Sequence, residues 1–420
     1  MNEAKQKIRL TSLERAWILY DVGNSAFVLL VATLIPIFFN ALAEGGGLSS
    51  VEYLAYWGYA ASAVTVITAV LSPILGTLAD TRNFKKPIFT FCVAVGVIGC
   101  CAMGMASTWL PFLLIFIFAK VGFSGSLVFY DSMLSDVTVP DRMDEVSSKG
   151  YAWGYIGSCV PFVVCLALVL GAGSIGISQM TALNLALFIT AAWWLVTTLP
   201  LLRQYKQVHF VEVQEHAIRQ SFARIGHTLR HLKEDRQVFW FLLAFFCYID
   251  GVYTIIDMAT AYGTALGLDT TGLLLALLVT QIVAFPSALI FGRLSQKYES
   301  KTLIPVCIAA YTGIAVFAFF LKSQWQFWVL AVVVGMFQGG VQALSRSHFA
   351  KIIPQEKSGE YFGLFDICGK GASFLGTMIV SVGSQLTGSA NVGVGSIAIL
   401  FVIGFVLFSI STRTEETKQV

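Results

Sequence analysis

The sequence predicts an all-α membrane protein in which twelve transmembrane helices form two six-helix, pseudo-symmetric bundles. Of its 420 residues 56% are hydrophobic and 12% are charged, and the mean hydropathy is +0.76, whereas soluble domains carry about 25% charged residues. Apolar runs of about 20 residues, the length that crosses ~30 Å of hydrocarbon, predict the spans. One long polar stretch with related segments on either side predicts the two halves.

The predicted spans are numbered 1 to 12 in chain order. They cover about residues 16–41, 54–79, 87–107, 111–135, 149–170, 179–201, 237–263, 271–295, 302–321, 325–349, 361–386 and 393–411. Because twelve is an even number, both chain ends are expected on the same side of the membrane. The first fifteen residues are polar, so we expect no cleavable signal peptide, and span 1 itself serves as the insertion signal.

Basic residues fix the expected orientation. Of the 27 lysines and arginines, 24 lie in alternate gaps between the spans, and the other gaps hold one, Lys322. Since short basic loops stay on the cytoplasmic side, we expect a multi-pass protein of a bacterial cytoplasmic membrane with both termini in the cytoplasm. The net charge of +3 reflects this loop bias, and we expect no nucleic-acid partner.

The long polar stretch divides the chain. It predicts an N-terminal bundle over residues 1–201, a cytoplasmic amphipathic linker over 202–236 and a C-terminal bundle over 237–420. Apolar residues recur in the linker at helical spacing, which is typical of a helix lying on the membrane surface; they are Ile218, Phe222, Ile225, Leu229 and Leu232. Four of the five histidines also lie there (His209, His216, His227 and His231). We expect the i, i+4 pair His227 and His231 to be solvated, with metal binding or pH sensing as the alternative.

The two halves contain related segments. The 2–3 junction reads GTLADTRNFKK from Gly76, and the 8–9 junction reads GRLSQKYESK from Gly292. Glycine, leucine and a distal lysine coincide at an offset of 216 residues. Two related six-helix halves are typical of transporters that work by a rocking motion.

The G-x-L-x-D-x-x-x-x-K-K pattern of the 2–3 junction is similar to the signature of the major facilitator superfamily. Residues 17–27 (WILYDVGNSAF), 248–254 (YIDGVYT) and 342–347 (QALSRS) resemble the vacuole effluxer-like branch of that superfamily. The resemblance covers essentially the whole chain. It implies the major facilitator fold with spans 1, 4, 7 and 10 around a central cavity. Fungal members are associated with release of amino acids from the vacuole, which implies an amino-acid-like solute. Tyr155 follows Gly154 where the antiporter pattern of span 5 expects proline, so export by antiport stays open.

Ionisable residues inside the spans are the candidate transport residues, because a charge at the bilayer centre costs at least ~2.5 kcal/mol and usually serves a pathway. The predicted substrate and coupling residues are Asp21, Asn24, Lys120, Asp250, Tyr253, Asp257, Gln338, Gln342 and Lys370. A cavity with one central lysine opposite carboxylates suits a zwitterion, and also an organic anion with a coupling proton. Asp250, then Asp21, is the expected coupling residue.

A second set of residues is expected to control the conformation. The predicted gating residues are Gly76, Asp80, Arg82, Lys85, Asp131, Arg346 and Asp366. The resemblance implies that the 2–3 loop is a latch that holds the two halves together in one conformation, with Asp80 facing a helix N-terminus, where the dipole favours an anion. Gln296 replaces this aspartate in the second copy, so the latch should be lopsided. As alternatives, Asp366 and Lys370 neutralise one another on span 11, and Asp257 is hydrated near the outer interface.

The leading functional hypothesis is a secondary transporter of a small polar organic solute, working by alternating access with a proton as coupling ion. A translocase for lipids or lipid-linked precursors and a non-transporting membrane receptor are the alternatives. Catalytic motifs such as H-E-x-x-H and G-x-S-x-G do not occur, so the chain is not expected to be an enzyme. No cofactor or metal is expected, membrane lipids surround the protein, and a monomer is expected.

Overall fold

The computed structural model describes residues 9–212, 232, 235–372 and 374–418. Helices dominate these residues, and they lie where the twelve spans were predicted. Spans 1 to 6 are Ser12–Ala32 with Leu34–Gly45, Ser50–Ala79, Lys85–Met103, Trp109–Ser132, Pro140–Leu170 and Gln179–Gln204. Spans 7 to 12 are Arg236–Ala265, Thr270–Leu294, Ser300–Phe319, Gln324–Ile352, Ser358–Ala372 with Phe374–Thr387, and Ala398–Lys418. The predicted fold class is confirmed.

Within the described residues, eleven helical segments are long and apolar enough to cross a membrane. The remaining predicted span, 361–386, is described as two shorter helices on either side of residue 373. Large apolar side chains such as Phe91 and Phe118 stay exposed on the outer surface, as expected for helices that face lipid.

Several helices extend beyond the predicted crossings. Span 5 begins at Pro140, nine residues before its predicted start, because a helix continues through polar residues that hydropathy excludes. Span 1 begins earlier as well, with a capping box in which Thr11 accepts from the Glu14 N–H at 3.1 Å and Glu14 accepts from the Thr11 N–H at 2.7 Å. The same span is interrupted at Thr33, whose backbone leaves helical geometry.

Each half packs as a bundle. Span 1 contacts spans 5 and 6 in the first half, and span 7 contacts span 12 in the second half. The halves meet where span 2 contacts span 11 and where span 5 contacts spans 8 and 10. Spans 2 and 8, like spans 5 and 11, correspond in the repeat, so the 2–11 and 5–8 contacts follow the pseudo-symmetry.

Glycine allows the backbones of spans 2 and 11 to touch. A Cβ added at Gly76 would lie 2.2 Å from the carbonyl oxygen of Gly359, and one at Gly363 would lie 2.7 Å from that of Ser72. Only residues without side chains fit at such a distance. This contact lies beside the 2–3 loop, at the membrane face where the basic gaps gather, called the basic face below.

The linker is described only in part. Span 6 continues to Gln204, and residues 205–212 follow without helical structure. The apolar residues that predict an amphipathic helix, apart from Leu232, lie outside the described residues, as do His216, His227 and His231.

We expect Gly76→Ala to destabilise the protein by about 1–3 kcal/mol, because overpacking of a close contact has costs of that size. Gly58→Ala, on the same helix with nothing within 4 Å of its added Cβ, serves as the matched control and should keep or slightly raise the stability. Thermal unfolding can be followed through the reaction of the buried native cysteines with a thiol-reactive dye. Equal unfolding temperatures for the two variants would contradict the close contact.

Candidate functional site

Arg346 of span 10 joins the two halves. Its side chain is buried, with Nη1 3.0 Å from Oδ1 of Asp131 and 3.7 Å from Oδ2 of Asp21. Its Nε donates to the hydroxyl of Ser147 at 2.9 Å, and its Nη2 donates to the Ser147 carbonyl oxygen at 3.0 Å. One guanidinium of the second half thus contacts spans 1, 4 and 5 of the first half.

Three aromatic rings of the first half surround the same guanidinium. Its central carbon lies 4.7 Å from the ring centroid of Trp17, 5.4 Å from Tyr130 and 4.3 Å from Tyr151, within the range of cation–π attraction. We call Trp17, Tyr130 and Tyr151 the aromatic cage. The sequence analysis missed the cage, although Trp17 precedes Asp21 by one helical turn and Tyr130 precedes Asp131 directly.

The structure therefore brings together Asp21, Asp131 and Arg346, which the sequence placed in two separate sets. Asp21 also accepts a hydrogen bond from the Tyr130 hydroxyl at 3.1 Å. The neighbouring Asn24 is buried and donates to the carbonyl oxygen of Tyr20 at 3.1 Å. Two carboxylates share one guanidinium here, so the cluster keeps a net negative charge when all three groups are ionised.

Asp80 of the 2–3 loop contacts the start of span 11. Its Oδ1 accepts from the Gly359 N–H at 2.7 Å and its Oδ2 from the Glu360 N–H at 2.8 Å. These are first-turn N–H groups without helical partners, so a carboxylate satisfies both their hydrogen bonds and the helix dipole. Burial raises the pKa of Asp80 to about 7, against the lowering effects of Lys85 and of the two N–H groups.

Lys85 fills the space behind this contact. Its buried Nζ donates to the Ser358 hydroxyl at 2.8 Å and lies 3.8 Å from carboxylate oxygens of both Asp80 and Asp136. Arg82, in contrast, is exposed, pairs with Glu212 at 3.4 Å and lies over the Phe210 ring. Arg82 therefore contacts the linker, although it was predicted together with Lys85 as a gating residue.

The latch is lopsided in its geometry. Gln296 of the second copy is exposed, whereas Asp80 is fully buried. Two further contacts between the halves lie on the basic face or near it: Lys351 with Asp144 at 2.6 Å, and the Ser72 hydroxyl with Asp366 at 2.7 Å. The Lys370 side chain lies outside the described residues, so its neutralisation of Asp366 stays a prediction.

Residues 205–212, called the strap below, bind the 2–3 loop at Asp80 and the 4–5 loop at Asp136. The backbone N–H and the Nδ1 of His209 lie 2.9 and 3.0 Å from Oδ1 of Asp136, and the Val211 N–H donates to the Asp80 carbonyl oxygen at 2.8 Å. The bond to Asp136 raises the pKa of His209. Burial acts to raise the pKa of Asp136, but hydrogen bonds from His209 and Tyr205 and the charge of Lys85 outweigh it and lower that pKa.

Lys120 lies far from the cluster of Asp21, Asp131 and Arg346. It is half-buried, with its ammonium 4.7 Å from the Phe123 ring centroid and 6.0 Å from that of Phe27. Eleven residues separate it from Asp131 on the same helix, which corresponds to about 16 Å along the axis. The Lys120 ammonium thus lies beside Phe27 of span 1, and its place opposite the carboxylates of a central cavity stays a prediction.

Asp250 faces span 11 inside the second half. Its side chain has no exposed surface, both carboxylate oxygens lie 3.0 Å from the Gly376 N–H, and the Thr254 hydroxyl donates to it at 3.3 Å. The sequence had placed this carboxylate in the open cavity, and packing against span 11 prevents that here. Asp257, seven residues further along, is exposed.

Buried polar atoms without a hydrogen bond of normal geometry occur on spans 5, 9 and 10. The Tyr155 hydroxyl of span 5, the Gln338 Oε1 of span 10 and the Tyr311 hydroxyl of span 9 are buried and accept or donate no hydrogen bond within the described part of the chain. The Tyr155 ring lies 3.1 Å from where a Cβ on Gly339 would stand. Gln342 and Tyr253 are half-buried. Buried polar atoms normally have partners, so these indicate a place for water or solute.

An apolar recess of about 180 Å³ lies between spans 2, 3 and 4. Thr68, Phe91, Phe118 and Gly125 are among the residues that line it. All its lining residues belong to the first half, and one of them, Ser72, also contacts Asp366 of the second half.

Solved structures share this arrangement. The human organic anion transporter MFSD10 matches with a TM-score of 0.72 over 94% of this chain and 98% of that one, at 12% identity. The major facilitator superfamily transporter FucP, in its outward conformation, matches with a TM-score of 0.71 over 95% and 97% of the two chains, at 15% identity. The fold is that of a major facilitator superfamily transporter.

The chain belongs to the family described as Vacuole effluxer Atg22 like, which it matches over residues 12–140 and 135–419. It is 42% identical, over 98% of both chains, to the uncharacterized MFS-type transporter YxiO of Bacillus subtilis (strain 168). Autophagy-related protein 22 of Coccidioides immitis (strain RS) is 24% identical over 64% of this chain. This chain spans about half of that fungal relative, 51% of its length.

We expect His209→Gln to lower the unfolding temperature more at pH 6 than at pH 9. The pKa of His209 is raised above its ordinary 6.5 in the folded protein, so the imidazolium–Asp136 pair stabilises the fold below that value. Its contribution disappears as the pH rises through the folded-state pKa. Thermal unfolding of both proteins at the two pH values measures the difference, and an equal loss at pH 6 and pH 9 would rule out a charged pair.

Proposed function

We propose that the protein is a secondary active transporter that moves a small polar organic solute across the membrane by alternating access. The family and the fold make it a major facilitator transporter, and the proposal adds the kind of solute and the mechanism. An amino-acid-like solute is preferred, with a proton as the coupling ion.

The unpartnered polar atoms between the halves are the observation that carries the proposal. Tyr155 and Gln338 come from opposite halves and lie close to one another, and within the described residues neither the Tyr155 hydroxyl nor Gln338 Oε1 makes a hydrogen bond of normal geometry. Leaving such an atom without a partner in a dry core costs about 1–3 kcal/mol, whereas water or a polar solute between the halves would satisfy it. They lie between the two bundles, where the alternating-access mechanism places its solute.

The closed basic face supports alternating access. The contacts of Arg346, Asp80 and Lys351 join the halves at or near this face. These contacts consist of charged groups and small residues. Water can solvate them when the halves move apart, whereas a continuous apolar interface would resist separation. FucP, whose structure in the outward conformation shares this fold, provides an analogy for a conformation closed on one side.

The proposed coupling residue is Asp250, followed by Asp21. Both oxygens of Asp250 accept from the Gly376 N–H, and a protonated carboxyl loses acceptor capacity at one oxygen. Uptake of a proton would therefore weaken a contact between spans 7 and 11. This links the charge of one buried group to the packing of the helix Phe374–Thr387, which follows the part of span 11 that contacts span 2.

The solute preference rests on the chemistry of the central groups. Lys120 offers a cation for a carboxylate, while Asp21 and Asp131 offer carboxylates for an amine. Because about 16 Å separates the Lys120 and Asp131 levels of span 4, a small zwitterion would meet them one after the other. Basic loops on one face support cytoplasmic termini in a bacterial cytoplasmic membrane.

Transport of lipids or lipid-linked precursors is the second candidate, and the apolar recess is the observation that bears on it. A lipid path needs an apolar groove that continues to the interface between the halves. The recess is lined by spans 2, 3 and 4 alone and borders the second half only at the polar Ser72, which favours the polar solute.

We expect Asp250→Asn to abolish accumulation driven by a pH gradient in proteoliposomes, because the amide carries no exchangeable charge. The solute would first be selected by a thermal-shift screen of the purified protein against amino acids, peptides, organic acids and lipids. Lys120→Ala should weaken uptake at least tenfold if the lysine meets the solute.

The matched controls are Asp141→Asn and Lys322→Ala, which change exposed residues of the same types and should leave uptake unaltered. Unchanged pH-driven uptake by both Asp250→Asn and Lys120→Ala would show that the residues are wrongly assigned. A screen in which only lipids stabilise the protein would favour the second candidate.

A further inference from the structure

We propose that the aromatic cage with Asp21 and Asp131 is a binding site for the organic cation group of the transported solute, and that Arg346 occupies this site while the basic face is closed. The proposal rests on the transport function proposed above and names the chemistry of one of its sites. The ligand class is an ammonium or guanidinium group.

The site is built entirely from the first half, and its occupant comes from the second half. Trp17 and Asp21 belong to span 1, Tyr130 and Asp131 to span 4, and Tyr151 to span 5. Arg346 belongs to span 10. When the halves separate at the basic face, the guanidinium leaves with its own half and the site opens towards that face.

The walls of the site do not depend on Arg346. The indole Nε1 of Trp17 donates to the Tyr130 carbonyl oxygen at 2.9 Å, and the two rings stack with centroids 4.3 Å apart. The Tyr130 hydroxyl donates to Asp21 at 3.1 Å, and Tyr20 packs against Tyr130 with ring centroids 4.7 Å apart. All these contacts lie within the first half, so the empty site would keep its shape.

The charges require a cation. Asp21 and Asp131 both face Arg346 within 4 Å, and its departure leaves two neighbouring carboxylates between aromatic faces. Aromatic faces attract cations and repel anions, so the vacant site selects a cationic group. Asp366 of the second half is a further carboxylate near Asp131, and the described residues place no second cation within ion-pair distance of Asp21 or Asp131.

Gly150 limits the size of the ligand. A Cβ at this position would lie 2.9 Å from Asp21 Oδ2 and 3.1 Å from Arg346 Nη2. The site is therefore filled by a single planar guanidinium, with the Ser147 carbonyl oxygen as a further acceptor. An ammonium or guanidinium group at the end of a short chain fits, whereas a bulky quaternary ammonium does not.

A solute that binds here competes with Arg346 and thereby favours separation of the halves. Binding of the cation and opening of the basic face are then two sides of one equilibrium. Arg346 would therefore hold the basic face closed when the solute is absent, and the bound solute would displace it.

Binding of agmatine to the purified full-length protein, measured by calorimetry, tests the proposal, with glutarate as the anionic probe. Arg346→Ala empties the site and should bind agmatine at least tenfold more tightly than the wild type. Arg142→Ala, which removes a partly buried arginine paired with Glu14 outside the cage, should show no gain. Adding Trp17→Leu or Asp131→Asn to Arg346→Ala should abolish the gain, and glutarate should not bind.

A second arm keeps Arg346 and weakens the closed face with Gly76→Ala. Agmatine should again bind at least tenfold more tightly than to the wild type, because less of the closed contact has to be broken. A gain in Arg346→Ala alone would mean that the probe merely fills the space of a deleted side chain, and it would overturn the proposal. If Arg346→Ala fails to fold, the Gly76→Ala arm decides by itself.

These outcomes separate the two proposals. Transport of a solute without any cationic group would overturn the cation site and leave the transporter intact. Cation binding in both arms, together with an absence of flux for every solute that stabilises the protein, would support the site and contradict the transport function.

Discussion

The shared guanidinium of Arg346 is the interaction on which the closed arrangement depends. It binds carboxylates from two spans of the opposite half, donates to both oxygens of Ser147 and lies among three aromatic rings. Removing one partner of a buried ion pair costs about 3–5 kcal/mol, because the remaining charge has no solvent. Loss of the Arg346 guanidinium would leave both Asp21 and Asp131 without an ion-pair partner. The halves are therefore held together by a cation that is costly to remove, and under the proposal above another cation can take its place.

A second layer of contacts lies outside this centre. Asp80 caps the start of span 11, Lys85 connects it with Asp136, and the strap fixes both loops through His209. Because the strap follows span 6 and forms part of the linker, the linker is physically joined to the latch of the first half. The second copy of the motif has no such contact, since Gln296 is exposed. Closure at the basic face is therefore asymmetric although the two bundles are related.

Much of the fold could be predicted because membrane crossing has simple physical requirements. Length and apolarity located the spans, and the long polar stretch, with related segments at an offset of 216 residues, predicted the two halves. Helix starts were missed where polar turns continue a span, as at Pro140, and the interruption of span 1 at Thr33 gave no signal in hydropathy. The linker helix concerns residues that are mostly outside the described ones, so it remains a prediction.

The site was only partly predictable. Intramembrane charge singled out Asp21, Asp131, Asp250 and Lys120, but charge alone does not show which residues meet. Asp21, Asp131 and Arg346 come from three spans whose rotation and depth are fixed only by packing. For the same reason Asp250 was expected in the cavity and lies against Gly376 instead. The aromatic cage was missed because Trp and Tyr are frequent in membrane helices for many reasons.

The central claim is that the charge of Arg346 keeps the basic face closed. A distance measurement between spin labels at Phe84 and Tyr298 tests it most directly, since these exposed residues lie in the 2–3 and 8–9 loops of opposite halves. In a chain whose own cysteines are replaced, we expect one short distance for the wild-type site and a longer distance for Arg346→Gln. Adding Asp21→Asn and Asp131→Asn should restore the short distance, because no buried charge is then left without a partner. An unchanged distance in Arg346→Gln would contradict the account.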